Sequence, residues 1–410
     1  MKKFILQGRR QNHSSGSRNS DGDAASEQLF SASFILITVA NFFNAFCTQM
    51  VNATLPVYVL SIGGNKAEAG LIVGLLAITA LLLRPFFGWA TDKWKQPPLV
   101  VFGSACFGLA SIIYSLGISI WTLVLGRVIH GLGLSSYSTA SNAFIISIAP
   151  IRRRSEAIGL FASANSLGFI FGPALGFYII SFFGFNQLFN VATSFAVIAL
   201  IVSLLVRDKK KTPNNRSQDR AFFTNIVSID AFPMAWIAIW LGLAMASVNT
   251  FIAIYAMSIG INNPGLYFTV QALALLFSRV FLGRLADKWS RSKAIILGVI
   301  AISLAMITLL LVQNLIGLLA CASVFGLGTG IARPASMALL ADRVPPEKQG
   351  RGLATYFIGY DGGHFLGSVA FGIVAQLWGF GVMWPLSAGC TLLSLLSLTW
   401  MRRRSSITSA

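Results

Sequence analysis

The sequence predicts an all-α membrane protein with twelve transmembrane helices, arranged as two pseudo-symmetric six-helix bundles. Three observations lead there. First, the 410 residues are 55% hydrophobic and only 11% charged, with a mean hydropathy of +0.72. A soluble domain carries about a quarter charged residues, so this chain lacks the polar groups to cover a surface facing water. Second, twelve apolar runs approach the roughly 20 residues that cross a bilayer as a helix. Third, the chain repeats itself: RPFFGWATDKW at 84–94 returns as RVFLGRLADKW at 279–289, matching at six of eleven positions.

Taken in order, residues 1–29 are rich in Ser, Asn, Gly and Asp and are expected to form a disordered cytoplasmic tail. Lys2 and Lys3 precede only Phe4-Ile5-Leu6, too short an apolar core for a signal peptide. The first bundle, 30–206, holds spans at 31–60, 68–91, 98–117, 120–147, 155–181 and 186–206. A polar segment follows at 207–230, a cytoplasmic linker with Arg207, Lys209, Lys210, Lys211, Arg216 and Arg220. The second bundle, 231–401, holds spans at 232–259, 265–286, 292–313, 315–341, 350–377 and 381–401, before a tail at 402–410. Turn-forming residues mark the breaks: Gly63-Gly64-Asn65, Pro97-Pro98, Pro150, Asn262-Asn263-Pro264 and Pro345-Pro346. The same offset as the repeated undecamer pairs Gly131 and Gly133 with Gly326 and Gly328, and Gly168 and Gly172 with Gly363 and Gly367. The halves are therefore read as structural copies in one orientation.

The net charge of +18 is an orientation signal. Of 31 lysines and arginines, 25 fall in the tails and in the loops on their side of the membrane, whereas the opposite loops hold only Lys66. The positive-inside bias then puts both termini in the cytoplasm. With the excess explained this way, nucleic acid is not an expected partner; the lipid bilayer is. Five arginines remain inside helices: Arg84, Arg127, Arg279, Arg284 and Arg333. Cys47, Cys106, Cys321 and Cys390 are far apart in apolar runs and show no metal-ligand spacing. No HExxH, GxSxG or Walker A sequence is present, so enzymatic function and a bound metal are not expected.

Several motifs carry chemistry. Gly88-x-x-x-Asp92-Lys93 and Gly283-x-x-x-Asp287-Lys288 each close an even-numbered helix on the cytoplasmic side. Helix 5 carries Gly168-x-x-x-Gly172-Pro173-x-x-Gly176, a smooth seam at four-residue spacing that lets a neighbour approach closely, with Pro173 able to kink it. Helix 4 carries Arg127-Val128-Ile129-His130-Gly131, with Arg127, His130, Tyr137, Ser138 and Ser141 within one face. An arginine at that depth needs a cavity or a partner, and a hydrogen-bonding role toward helix 1 is one reading of it. His130 reads as a packing histidine at least as readily as a functional one.

Together these motifs resemble the major facilitator superfamily. The loop motif is similar to that family's G-x-L-A-D-R-x-G-R-K, departing at Lys95 and the following Gln96, Pro97 and Pro98. The helix 5 motif is similar to the G-x-x-x-G-P-x-x-G-G of its efflux antiporters, with Phe177 in place of the last Gly. The helix 4 segment resembles the motif in which an Arg is linked to proton transfer. The resemblance implies rocking of two halves, a gate formed by the loop motif, and a cavity lined by helices 1, 4, 7 and 10. Helix 1 would contribute Asn41, Asn44, Thr48 and Asn52, and helix 7 Trp236, Trp240, Asn249 and Tyr255.

Asp361 is the most informative residue, the one acid near mid-membrane, about eleven residues and roughly 16 Å into helix 11. Arg333 on helix 10 lies at a similar depth, roughly 13 Å, and is the expected ion partner. His364, three residues beyond Asp361, shares its side of the helix. Asp361 is thus expected to couple protons or bind substrate. The resemblance implies proton-coupled efflux of a small organic molecule through a bacterial cytoplasmic membrane by a monomer. The proton gradient would supply energy and no cofactor is needed. The alternative is proton symport or facilitated uptake of a sugar or organic anion.

Overall fold

The computed structural model describes residues 30–117, 119–150, 153–207, 228–282, 290–345, 348–399 and 401. The expected tails at 1–29 and 402–410 lie outside these residues, as do nearly all of the linker and Gly283, Asp287 and Lys288 of the second loop motif.

The described residues are helical nearly throughout. We label the helices α1 (Ala32–Ser61), α2 (Lys66–Lys93), α3 (Gln96–Ser115) and α4 (Ile120–Ile148). The stretch Arg154–Leu204 is one helix by its hydrogen bonds but turns at Gly184, whose φ of 78° and ψ of 177° are not helical. Its two limbs, 154–183 and 185–204, are α5 and α6. There follow α7 (Phe232–Ser258), α8 (Gly265–Phe277, continued by a π-helical turn at Ser278–Leu282), α9 (Arg291–Thr308), α10 (Leu315–Arg343), α11 (Gln349–Leu377) and α12 (Phe380–Leu392, extended by a 3-10 turn at Leu393–Leu395). Each expected span has its helix. Pro173 sits inside α5 without breaking it, since Gly184 is where that helix leaves helical geometry.

Local chemistry sets the helix starts. The Ser31 hydroxyl accepts from the Phe34 amide at 3.2 Å, and Asn314 caps α10 through the Gly317 amide at 2.9 Å. Asn65 and Glu68 cap each other at the head of α2, as do Ser119 and Thr122 at the head of α4. Each such cap satisfies helix-end donors that have no intrahelical acceptor. By length and apolarity alone eight helices among the described residues qualify to cross a membrane, the α5–α6 stretch counting as one. α4 and α11 fall outside that set, and they carry Arg127 with His130 and Asp361 with His364.

The repeat in sequence is a repeat in packing. A side chain on Gly103 of α3 would meet Tyr137 and Gly133 of α4, and one on Gly298 of α9 would meet Ala332 and Gly328 of α10, the positions 195 residues later. Gly131 and Gly326 repeat the relation, against Leu76 and Thr79 of α2 and against Gln271 and Ala274 of α8. The helix 5 seam packs on α1: Gly168 faces Ala45, Gly172 faces Phe46 and Met50, and Gly176 faces Met50 and Thr54. The α11 seam packs on α7 in the same manner, Gly359 against Ala235, Gly363 against Ile239 and Gly367 against Leu243. Small residues let these backbones approach closely, which is how helices gain dispersion energy where lipid removes the hydrophobic drive between them.

The two halves meet along α2 with α11 and α5 with α8. Gly70 of α2 lies on the Ser368 carbonyl of α11; its repeat mate Gly265 of α8 lies on Pro173 and Ala174 of α5. The Lys66 amide and ammonium donate to Gln376 and the Ala375 carbonyl at 3.1 and 3.2 Å, and Thr269 donates to the Ile170 carbonyl at 2.6 Å. These contacts lie toward the face away from the described chain ends, here the distal face. On the opposite, proximal face Asp92 at the end of α2 is exposed, as are Ile158, Ala162, Ser163 and Asn165 on the first turns of α5. The halves are thus joined distally.

Candidate functional site

Asp361 is bonded to Arg84 of α2, a pair that crosses between the halves. It is the expected ion pair with a different partner. Arg333 lies within electrostatic range of Asp361, but its guanidinium sits 4.4 Å above the ring of Tyr360. Depth alone could not choose between the arginines: Arg84 is nine residues from the end of α2, roughly 14 Å, and Arg333 ten from the end of α10, roughly 15 Å. The choice is made by packing, since α2 lies along α11. The Asp361 side chain is 16% exposed and that of Arg84 is 36%, so the pair borders an accessible space. Arg279, the repeat mate of Arg84, feels the charge of Arg333 and makes no ion pair with an acid among the described residues. His364 packs its main chain against Gly242 of α7, and its Nδ1 has no hydrogen-bond partner among the described residues.

A second cluster lies within the first half. Arg127 is fully buried and donates through Nη1 to the Asn52 side-chain oxygen at 2.7 Å, while its guanidinium lies 5.8 Å from the ring of Tyr114. His130, also fully buried, is bracketed by Thr48 and by the Tyr114 hydroxyl, both at 3.3 Å. These contacts match the hydrogen-bonding reading of Arg127 toward helix 1 and the packing reading of His130. The cluster ties α1, α3 and α4 together, and Tyr114 on α3 is a member that the motif comparison missed. Nε and Nη2 of Arg127 find no acceptor among the described residues.

A third feature is a cavity of about 200 Å³ between α1, α4 and α5, floored by Phe107 of α3. Asn41 and Asn44 of the helix 1 stripe line it, and Asn52 points instead to Arg127. Asn41 donates to the Phe161 carbonyl at 3.0 Å and Asn44 to Ser104 at 2.9 Å. A larger crevice, about 560 Å³, opens distally beside Tyr178, Phe182 and Asn262. The expected helix 7 wall is corrected at Trp236 and Tyr255. Trp236 donates to the Leu393 carbonyl at 3.1 Å, and Tyr255 to the Leu309 carbonyl at 2.6 Å while its ring packs on Phe380 and Trp384. Both aromatic side chains are committed to α12 and the end of α9, inside their own half.

In the first copy of the loop motif Asp92 makes no ion pair among the described residues, Lys93 lies 5.0 Å from the Trp89 ring, and Gly88 is partly exposed one turn before. Among the described residues no group of three His, Cys, Asp or Glu has the geometry to hold a metal ion.

The sequence profile of the Major Facilitator Superfamily matches residues 37–267 and 264–409. The chain belongs to that superfamily. Its relatives include an uncharacterized transporter of the same type from Methanocaldococcus jannaschii, 23% identical over 86% of this chain and 94% of that protein. The multi-drug resistance efflux pump PmrA of Streptococcus pneumoniae is 24% identical over 87% of this chain and 92% of its own. The quinolone resistance protein NorA of Staphylococcus aureus is 26% identical over 41% and 44%. Among solved structures, the nucleoside transporter NupG superposes with a TM-score of 0.77 at 13% identity, over 90% of this chain and 98% of that one. A peptide transporter, POT, gives 0.77 at 14% identity over 95% and 99%. Major facilitator architecture accounts for the paired bundles, and the chain is a multi-pass membrane transporter.

Proposed function

We propose that this transporter exports a small organic molecule in exchange for protons, by alternating access across a cell membrane with both termini cytoplasmic. The observation that carries the reading is Asp361, the mid-helix acid, held by an arginine of the opposite half. An ionised Asp361 attracts Arg84 and keeps α2 against α11. Protonation removes that charge, and the halves are freed to rock. A carboxylate whose charge both joins the halves and responds to protons links the gradient to conformation. The efflux direction is supported by the likeness to PmrA, a multi-drug resistance efflux pump, and by the helix 5 seam with Pro173.

With the termini inside, the distal contacts close the outer side and the cavity of α1, α4 and α5 lies toward the cytoplasm. Gly88, Asp92 and Lys93 form the gate on the inner side, with Gly283, Asp287 and Lys288 as their repeat counterparts. Arg127 and His130 brace the cavity wall. The transporter needs no organic cofactor and works as a monomer.

The test is transport in proteoliposomes under an imposed pH gradient. Exchange predicts that solute accumulates on the acidic side. Accumulation on the alkaline side would mean symport, and indifference to the gradient would remove proton coupling altogether.

A further inference from the structure

The cavity between α1, α4 and α5 has an uncharged wall, part apolar and part polar. Carboxamides and hydroxyls line it, from Asn44, Tyr137, Ser141 and Asn165 among others, with the rings of Phe107 and Phe161 between them. No Asp, Glu, Lys, Arg or His is part of that lining.

Two of its polar groups are buried and unsatisfied. The Asn44 side-chain oxygen and the Tyr137 hydroxyl have no hydrogen-bond partner among the described residues, and the two residues are 2% and 4% exposed. Their Asn44 amide and ring neighbours are already fixed, by Ser104 at 2.9 Å and by Phe107 at a centroid distance of 5.9 Å. Asn44 and Tyr137 lie within side-chain hydrogen-bonding range of each other, but a buried acceptor and hydroxyl that have only a loose contact of this kind cost free energy unless something completes them. Native proteins keep such pairs where a ligand or an ordered water completes them.

Charge behind the wall narrows what that ligand is. Thr48 lines the cavity and bonds His130, which stands in the field of Arg127. The positive charge behind the wall has no carboxylate beside it among the described residues: the mid-helix acid, Asp361, is committed to Arg84 at the interface between the halves. An organic cation entering here meets repulsion and no counter-ion. An anion meets no arginine, because Arg127 is turned to Asn52 and does not line the space. The volume of about 200 Å³ is below the roughly 300–1,000 Å³ of drug-sized sites, which limits the occupant to a small solute or one fragment of a larger one.

We infer that this cavity is a binding site for an uncharged solute that carries an aromatic or otherwise flat apolar ring together with amide or hydroxyl groups. The inference rests on the transporter reading for its place in a cycle, and it separates solute binding in the first half from proton handling at Asp361. The hydroxyl of Tyr137 and the carboxamides of Asn44 and Asn165 donate and accept, while Phe107 and Phe161 cover the ring.

Binding to the purified full chain, followed by thermal shift and intrinsic fluorescence at fixed pH without a gradient, tests it. The probes are chloramphenicol, thymidine and N-acetylglucosamine as neutral solutes, tetraphenylphosphonium as a cation and salicylate as an anion. At least one neutral probe is expected to bind, and to bind about five- to tenfold more weakly to Tyr137→Phe and to Asn165→Ala, the usual effect of one lost hydrogen bond. Asn165 is exposed, so its variant folds even if changes nearer Ser104 do not. Failure of all three neutral probes at millimolar concentration overturns the inference. So does unchanged affinity in both variants, or a cation or anion that binds through these residues. None of these outcomes touches the response to a pH gradient, so loss of proton coupling and loss of this site are separately visible.

Discussion

Asp361 on α11 and Arg84 on α2 form an ion pair across the two halves of the molecule. The pair is not repeated at the symmetry-related positions. Arg279 repeats Arg84, but Ser166 stands where the repeat of Asp361 would be. One of the two half-to-half seams therefore carries a neutralised pair, and the other an arginine with no acid partner among the described residues.

Asp361→Asn should abolish gradient-driven transport while leaving solute exchange in the absence of a gradient. Arg84→Gln should also lower stability, by about 1–3 kcal/mol, since it strands a mostly buried carboxylate. The cost stays below the ~3–5 kcal/mol of a fully buried broken pair because Arg84 reaches solvent. The swap of Arg84→Asp with Asp361→Arg should restore part of the melting temperature lost by either single change. No restoration would mean that the pair does not hold the halves.

The two kinds of glycine contact should separate under substitution. Gly363→Ala drives a methyl into the Ile239 carbonyl within the second half and should lower the melting temperature in detergent. Gly70→Ala drives one into the Ser368 carbonyl between the halves. Rocking relieves that clash, so the population should shift toward a distally open state with little loss of stability. Cysteine accessibility near Lys66 and Gln376 reads the shift.

Asn52→Ala should be the costliest of the helix 1 amide changes. It removes the side-chain acceptor of a fully buried arginine whose other two guanidinium nitrogens already lack partners. A hydrogen bond to a charged group is worth about 1.5–3 kcal/mol, and leaving the charge unmet adds to that. Asn41→Ala loses only a bond to the Phe161 carbonyl and should cost about 1 kcal/mol. Thermal melts of the two variants give the order.

Asp230→Asn serves as a contrast. Its pair with Lys348 spans 3.1 Å, but both side chains are about half exposed. Stability should change by less than about 1 kcal/mol, and added salt should erase what difference there is.

The helices and their pairing were legible in sequence because bilayer length, the positive-inside bias and the internal repeat are independent constraints that agree. The partner of Asp361 was not. Helix depth follows from counting residues, but two arginines share that depth, and only the neighbour relation of α2 and α11 separates them. The same limit applies to Trp236 and Tyr255. A helical wheel shows that they are amphipathic, and cannot say whether their polar ends reach a cavity or the carbonyls of Leu393 and Leu309. The repeat held one further signal. Arg127, His130, Arg333, Asp361 and His364 stand opposite Ala322, Phe325, Ser138, Ser166 and Phe169. Groups that break the symmetry cluster where the structure places the charge and the cavity, whereas the glycines that keep it hold helices together.

Gly184 turns α5 into α6 with φ 78° and ψ 177°, and Gly379 turns α11 into α12 with φ 76° and ψ 179°. That region of backbone space is closed to residues with a Cβ. The first reversal is made by Gly184 alone and the second by Trp378 and Gly379, so neither hairpin offers more than a two-residue loop. An antibody, a protease or an inserted epitope tag approaching the distal face would find almost no chain to grip at these two corners. Labels for topology mapping belong instead at the wider distal turn between α7 and α8, around Asn262 and Asn263.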